Sequence, residues 1–83
     1  MRIPRALSGD QLAKALGQLG YRVTRQTGSH LRLTTQVGGE HHITIPRHGD
    51  LRVGTLGAVL NEVSRHMGIS RQELAQSLFD RRT

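Results

Sequence analysis

Three short segments between residues 21 and 45 alternate apolar and polar residues, and the turns that join them are very short. A period of two is typical of a strand that buries one of its faces. The segments cover residues 21–25, 29–37 and 41–45, with turns at 26–28 and at Gly38-Gly39. Because parallel strands need a crossover of a dozen residues or more, these strands must be antiparallel. The sequence therefore predicts a three-stranded antiparallel meander.

A helix is predicted before this sheet. Ser8 and Gln11 have the spacing of a capping box, which satisfies free amide groups at a helix start. Leucines then follow at helical spacing, at Leu12, Leu16 and Leu19. Gly20 stands where a helix commonly ends in a left-handed residue. These signals predict a helix over residues 9–19.

Two more helices are predicted after the sheet. An apolar stripe at helical spacing predicts a second helix that opens near residues 54–55 and closes at Gly68. Ser70 and Glu73 form another capping box, so a third helix is expected to follow at once and to fray into residues 80–83. The predicted order is thus α-β-β-β-α-α.

This order is an α+β fold in which helices cover one face of the meander. A three-stranded sheet needs such cover to be stable. The residues predicted to face the helices are Tyr21, Val23, Leu31, Leu33, Ile43 and Ile45. The order and the layering match those of the double-stranded-RNA-binding domain. With 83 residues there is room for one core, so we expect residues 1–83 to form a single domain.

The charge of the chain predicts a polyanionic partner. Twelve Lys and Arg against six Asp and Glu give a net charge of +6, and nucleic acid is the commonest partner of so basic a protein. All but one of the cations are Arg, whose planar fork binds phosphate at two points, although a GC-rich genome also favours Arg. The absence of Cys excludes disulfides, zinc ribbons and thiol catalysis.

The hydropathy pattern predicts a cytoplasmic protein with no membrane partner. No apolar run approaches the ~20 residues of a membrane-spanning helix. The first five residues contain a proline and two arginines and lead into a polar segment, so no signal peptide is expected.

Histidine is the residue type most suited to proton transfer at neutral pH, and the chain has five. They are His30, His41, His42, His48 and His66. Two are adjacent on one strand and so point to opposite faces, and no metal-binding spacing occurs. His30 opens the second strand after Gly28 and Ser29, on the same face as Arg32. The glycine would let a bulky substrate come close. By spacing alone, His30 is either a catalytic base or an ordinary surface residue.

Several short motifs follow one another along the chain in a characteristic order. They are Gly20-Tyr21, Arg25-Gln26-Thr27-Gly28-Ser29-His30, Ile43-Thr44-Ile45-Pro46-Arg47-His48-Gly49, Gly54-Thr55-Leu56 and Gly68-Ile69-Ser70. Together they resemble the HicA family of toxins, from about Leu7 to Phe79. Gly-Ser-His after a basic strand is the most specific of these motifs.

The resemblance implies a double-stranded-RNA-binding-like fold and a ribonuclease that acts on mRNA without a metal or organic cofactor. It also implies a cognate HicB-like antitoxin that blocks the site. The catalytic histidine of the family corresponds to His30. The residues then expected to bind RNA are Arg22, Arg25, Gly28, Ser29, Arg32, Arg47 and His48. The proton for the leaving oxygen would come from His48, His42 or water.

Two other functions fit the sequence. A non-catalytic RNA-binding module would use the same basic face and read RNA by shape and backbone contacts. A DNA-binding helix-turn-helix regulator would use the last two helices. The second helix, however, commits its apolar stripe to the sheet, which makes the regulator the weaker of the two.

Overall fold

The computed structural model describes residues 6–79 and confirms the predicted α+β order. The elements are α1 (Gly9–Leu16), a 3-10 turn (Gly17–Leu19), β1 (Arg22–Gln26), β2 (His30–Thr35), β3 (His41–Pro46), α2 (Val53–Met67) and α3 (Arg71–Phe79). No helix in this part of the chain is long and apolar enough to cross a membrane. The predicted fraying at 80–83 and the opening residues 1–5 lie outside the described residues.

Both capping boxes predicted from the sequence are present. The amide of Gln11 donates to the Ser8 hydroxyl at 3.0 Å, and the Ser8 amide donates to the Gln11 side chain at 2.9 Å. Ser70 and Glu73 make the same reciprocal pair at 3.0 and 3.1 Å. Each box satisfies amide groups that a helix start would otherwise leave free, so these two helices begin where the sequence predicts.

The first helix ends differently from the prediction. The α-helical hydrogen bonds stop at Leu16, and the chain tightens into a 3-10 turn up to Leu19. Gly20 then takes a φ of 86°, which side-chain-bearing residues rarely adopt. The left-handed residue therefore closes the 3-10 turn, and it redirects the chain into β1.

The three strands form an antiparallel sheet in the order β1-β2-β3, and the helices cover one of its faces. The β2 and β3 residues predicted to face inward are all buried. The core that they share with the helices comprises Leu7, Leu12, Leu16, Tyr21, Leu31, Leu33, Ile43, Ile45, Leu51, Leu56, Val59, Leu60, Val63, Leu74 and Leu78. This layering is consistent with the double-stranded-RNA-binding-like fold.

The prediction that Val23 belongs to the core is wrong. Its side chain is 47% exposed, and every residue of β1 is exposed. β1 lies at one edge of the sheet, and unlike β3 at the other edge it has no buried residue. The pairing with β2 also shifts between Val23 and Arg25, which is the mark of a β-bulge. An uncovered edge strand with a bulge does not follow the simple inside-outside alternation of the other strands.

Tyr21 joins the sheet to α2 through two histidines. Its hydroxyl lies 2.7 Å from Nδ1 of His41, and the His41 ring stacks on the His66 ring with centroids 4.4 Å apart. His66 in turn donates from Nε2 to the carbonyl of Val37 at 2.9 Å. The cluster ties the turn between β2 and β3 to the C-terminal end of α2. His41 and His66 are therefore structural residues.

We expect the phenol of Tyr21 to lose its proton at an unusually high pH, because its pKa is raised. Burial, and to a lesser degree the negative charge of Glu62, raise the pKa of Tyr21 to about 12. The neutral phenol is thus favoured in the folded state. Its contribution to stability is complete below pH ~10, the ordinary pKa of Tyr, and is lost as the pH rises toward 12. The chain has one Tyr and no Trp, so ultraviolet absorbance follows this group alone. A phenolate transition near pH 10 in the folded protein would contradict the arrangement.

Candidate nucleic-acid interface

The sheet face that points away from the helices, which we call the outer face, carries three rows of side chains that cross the strands. From the strand pairing the rows are Arg22–Thr34–His42, Arg25–Arg32–Thr44 and His30–Pro46. We call them the far, middle and near rows, counted from His30. Six of these eight residues are exposed, and the face has three arginines. It is an open basic surface rather than a deep cavity.

The turn before His30 is held by the side chain of Thr27. Its hydroxyl oxygen accepts hydrogen bonds from the amides of His30 at 3.0 Å and Ser29 at 3.3 Å. The amide of Thr27 donates to the His30 carbonyl at 2.9 Å. These bonds all involve the main chain of the turn, so they fix where β2 begins without engaging the imidazole of His30.

The imidazole of His30 is exposed and anchored at one nitrogen. Nδ1 lies 2.9 Å from the Ser29 hydroxyl oxygen. In the tautomer in which Nδ1–H donates to that oxygen, the lone pair of Nε2 is free and accessible to a ligand. A ring fixed at one nitrogen and open at the other is the arrangement that a general base requires.

Gly28 leaves the approach to His30 open. Its backbone does not take a positive φ, and a Cβ placed on it would meet nothing within 4 Å. The fold therefore does not require glycine at this position. The open space is what the predicted close approach of a substrate would need.

Two arginines stand opposite each other in the middle row, one row away from His30. Arg25 pairs with Arg32 across the strands, and like charges in such positions destabilise a sheet. Among residues 6–79, neither forms an ion pair with a carboxylate. A phosphate group between them would relieve the repulsion and accept hydrogen bonds from both guanidinium groups.

The bulge in β1 explains how Arg22 and Arg25 come to share the outer face. Strict alternation would send residues three apart to opposite faces. The shift between Val23 and Arg25 adds one residue, so Arg22 pairs with Thr34 and Arg25 with Arg32. Both arginines were predicted from the sequence as candidates, but the sequence contains no recognisable signal for the bulge that brings them to the same face.

Arg47 and His48 follow directly after β3, beside the turn of His30. The amide of Arg47 donates to the Ser29 carbonyl at 2.8 Å, which extends the pairing beyond Pro46. Nε of Arg47 lies 3.4 Å from a carboxylate oxygen of Asp10, so part of its charge is already balanced. His48 is exposed and lines a pocket of about 370 Å³ that Pro46 also borders. These two residues follow the strand end that pairs with His30, but the charge of Arg47 is less available to a ligand than the charges of the middle-row arginines.

Comparison with known proteins gives one result. The family model for the HicA toxin of bacterial toxin–antitoxin systems matches residues 9–64, about two thirds of the chain. The chain belongs to the HicA toxin family. No curated protein and no solved structure gives a significant match. Membership places the chain in a toxin–antitoxin system and implies a cognate antitoxin.

The matched region of this HicA chain contains the whole outer face and the segment of Arg47 and His48. It ends within α2, so the motif at residues 68–70 lies outside the match. The resemblance seen in the sequence is thus supported where the candidate site lies.

The register of the HicA sheet separates His42 from His30. His42 pairs with Thr34, which is four residues along β2 from His30, or roughly 13 Å at about 3.3 Å per residue. Two groups that act on the same phosphate must lie much closer than this. The register thus argues against His42 as the proton donor for the leaving oxygen and leaves His48 and water as the candidates.

Three threonines of the HicA chain contribute to the face although the sequence patterns did not single them out. Thr27 organises the turn of His30, and Thr24 and Thr34 bond to each other on the outer face at 2.9 Å. A hydroxyl residue within a turn is a known turn signal, so Thr27 could have been singled out in the predicted turn at 26–28. The other two pair only because of the bulge in β1.

No metal centre was found among residues 6–79. No group of three or more His, Asp or Glu side chains in that range lies close enough together to hold an ion. His41 and His42 point to opposite faces, as expected: His41 bonds to Tyr21, whereas His42 bonds to Thr34 on the outer face.

Proposed function

We propose that this HicA-family toxin is an endoribonuclease that cleaves mRNA in the cytoplasm, with His30 as the general base. The observation that carries the proposal is the His30 imidazole, which is anchored to Ser29 at Nδ1 and open at Nε2. It lies one row away from two arginines that have no carboxylate partner in the described part of the chain. A base beside a cationic surface of this kind suits RNA better than any neutral substrate.

The reaction follows from the position of this base. Nε2 of His30 takes the proton of a ribose 2′-hydroxyl, and the 2′-oxygen attacks the adjacent phosphorus. A bond forms between the 2′-oxygen and phosphorus, and the bond from phosphorus to the 5′-oxygen breaks. His48 or water supplies the proton that the 5′-oxygen needs. The products are a 2′,3′-cyclic phosphate and a 5′-hydroxyl, and the reaction needs no metal ion or organic cofactor.

The arginines supply the electrostatic part of the mechanism. Negative charge accumulates on the phosphate oxygens as the 2′-oxygen attacks, and fixed cations aimed at that charge lower the barrier. Arg32 is the nearest outer-face arginine on β2, and Arg25 stands opposite it. Arg22 extends the basic surface to the far row, whereas Arg47 is a weaker contributor because Asp10 shares its charge. Gly28 leaves room for the RNA backbone beside His30, and Ser29 holds the imidazole.

One gel experiment tests the proposal. Purified protein is incubated with mRNA in EDTA, and the ends of any fragments are determined. Cleavage that leaves 2′,3′-cyclic phosphate and 5′-hydroxyl ends is the expected result. Fragments with 5′-phosphate ends would contradict the mechanism. Binding that weakens steeply with salt, with no cleavage, would instead favour a non-catalytic RNA-binding module.

The antitoxin is proposed to be HicB-like and to cover the outer face. Because that face is basic and has arginines without carboxylate partners among residues 6–79, an acidic surface is the natural complement. A partner seated there would block access to Nε2 of His30. The reading frame next to this gene is expected to encode such an acidic protein, and its co-expression is expected to suppress cleavage.

Removing either middle-row arginine is expected to weaken RNA binding in a salt-dependent way. Each of Arg25→Ala and Arg32→Ala should lower the slope of log affinity against log salt by about 0.7, the value for one phosphate contact with a single strand. Thermal stability should stay the same or rise, since a like-charge pair is removed. The measurement uses the His30→Ala background, so that the RNA stays intact.

Arg65→Ala provides the matched control for these variants. Arg65 is exposed on α2, on the helical side of the molecule, and its removal changes the net charge by the same amount. Its salt slope should stay at the value of the parent protein. An equal loss for Arg65→Ala would show that net charge, rather than the outer face, determines binding.

A further inference from the structure

Four polar side chains form a continuous hydrogen-bonded chain across the far end of the outer face. Glu40 Oε2 lies 3.0 Å from Nε2 of His42, and Nδ1 of His42 lies 2.7 Å from the Thr34 hydroxyl. That hydroxyl lies 2.9 Å from the hydroxyl of Thr24. The chain thus runs from the turn before β3 across β2 to the bulge of β1. The proposed cleavage reaction uses none of these four residues.

The network fixes the orientation of the His42 ring. Both ring nitrogens are engaged, one with a carboxylate and one with a hydroxyl. The side chain is nevertheless 40% exposed. With both nitrogens held, the ring offers a ligand its flat carbon surface rather than a free donor or acceptor. A rigid, exposed ring is a stacking platform, and histidine is one of the side chains on which RNA bases stack.

Few other rings are available for stacking. The chain has one Tyr, one Phe and no Trp. Tyr21 is buried, and Phe79 packs against the core from α3. On the rows of the outer face the only aromatic rings are the imidazoles of His30 and His42. His42 is therefore the aromatic ring on which a base at the far end of this face would stack.

We propose that His42 is a base-stacking site for an unpaired RNA nucleotide next to the cleavage site. The inference rests on the proposed function, which places the RNA strand on the outer face. An RNA strand that starts at His30 passes the middle row, where Arg25 and Arg32 hold phosphate. It then reaches the far row, roughly 13 Å along β2 at about 3.3 Å per residue, where His42 lies beside Thr34. His42 then receives the base of a neighbouring nucleotide.

Glu40 explains why a base rather than a phosphate binds at this end. Its carboxylate is 60% exposed and lies at the end of the far row. A phosphate brought next to it would be repelled, whereas an uncharged base would not. The basic surface thus ends at Glu40, and the same carboxylate that repels the backbone orients the ring that accepts the base.

The test measures stacking separately from cleavage. A single-stranded oligoribonucleotide carrying the fluorescent base 2-aminopurine is titrated with protein in the His30→Ala background, which binds RNA without cutting it. Base–aromatic stacking contributes about 1–3 kcal/mol per base, so His42→Ala should weaken binding about fivefold or more. The quenching of 2-aminopurine that stacking causes should be lost with it.

Two further variants separate stacking from a structural role. His42→Phe keeps a ring but cannot bond to Glu40 or Thr34, and an aromatic residue suits an exposed strand. His42→Asn keeps a hydrogen-bonding group but has no ring. Affinity and quenching should return with Phe and stay low with Asn. Rescue by Asn and not by Phe would overturn the stacking site and assign His42 to holding the strands together.

The remaining outcomes also distinguish the two proposals. If His42→Ala changes neither affinity nor quenching, while the protein with His30 intact still cleaves RNA, the stacking site alone is overturned. If neither the His30→Ala protein nor the unsubstituted protein binds the oligonucleotide at all, both the stacking site and the proposed function are overturned.

Discussion

Replacing His30 with alanine is expected to reduce RNA cleavage by about 10²–10⁴-fold, the usual contribution of a positioned general base. The same substitution is expected to abolish growth inhibition by the toxin. The physical reason is the loss of Nε2, the proton acceptor of the proposed mechanism, which belongs to a residue at the opening of β2, one row from Arg25 and Arg32. The measurement is the initial rate of cleavage in EDTA, together with thermal unfolding of the variant.

The fold is expected to survive this substitution. The imidazole of His30 is exposed, and its one side-chain hydrogen bond is to the neighbouring Ser29. Thr27 holds the turn through the main chain, which alanine leaves unchanged. Thermal stability should therefore change little, since exposed substitutions usually stay within about 0.5 kcal/mol.

His66→Gln is the matched control for His30→Ala. It removes an imidazole that lies off the outer face, and the amide of Gln can still donate to the carbonyl of Val37. Cleavage per folded molecule should stay at the level of the parent. Full activity in His30→Ala would refute the role of His30 as the base, whatever His66→Gln does.

β2 and β3 could be predicted from the sequence because burial dictates their pattern. Leu31 and Leu33 on β2 and Ile43 and Ile45 on β3 alternate with polar residues, and the helices cover one face of both strands. A shift of one residue would expose all four, so the pattern specifies the register. The capping boxes were equally predictable, since their hydrogen bonds join residues three apart and depend on nothing distant.

β1 could not be predicted in the same way. The alternation of apolar and polar residues assigns Val23 to the core. Its exposure depends instead on where the helices stop covering the sheet, which the local sequence does not indicate. No glycine or other turn residue in β1 indicates the bulge. As a result, the sequence indicated which arginines to consider but not that Arg22 and Arg25 share a face. The hydroxyl network of Thr24 and Thr34 was missed for the same reason.

His30 itself was found by resemblance rather than by spacing. A histidine at the start of a strand is commonly an ordinary surface residue, and no carboxylate or second histidine stands at catalytic spacing in the sequence. The structure adds what the sequence lacks: the Ser29 contact that fixes the ring and the two opposed arginines one row away. These are relations between neighbouring strands, so they emerge only after the sheet forms.

Replacing Gly9 with alanine is expected to destabilise the fold by about 1–3 kcal/mol, as at other overpacked sites. Gly9 is the buried first residue of α1, and a Cβ on it would collide with the carbonyl oxygen of Pro46 and stand 3.3 Å from Cα of Arg47. Both of these are backbone atoms, which cannot rotate away as a side chain can. The collision must therefore be relieved by moving a whole segment of main chain.

The expected loss should be visible in thermal unfolding. For a domain of this size, 1 kcal/mol shifts Tm by about 4–8 °C. Gly17→Ala is the control, because Gly17 has a φ of −57° and a Cβ there would meet nothing within 4 Å. Alanine at that position should be neutral or stabilise the protein by up to about 1 kcal/mol, since it restricts the unfolded chain. Equal stability of the two variants would contradict the close packing of α1 on the end of β3.

Gly9→Ala should also lower cleavage beyond what the loss of folded protein explains. The amide of Gly9 donates to the carbonyl of His48 at 3.0 Å, so the start of α1 holds the segment that carries Arg47 and His48. Relieving the collision requires either α1 or this segment to move, and a shift of the segment displaces His48 relative to His30. Activity measured well below Tm separates the two cases. A normal rate per folded molecule would mean that α1 moves and that the cleavage site does not depend on how the helix is seated.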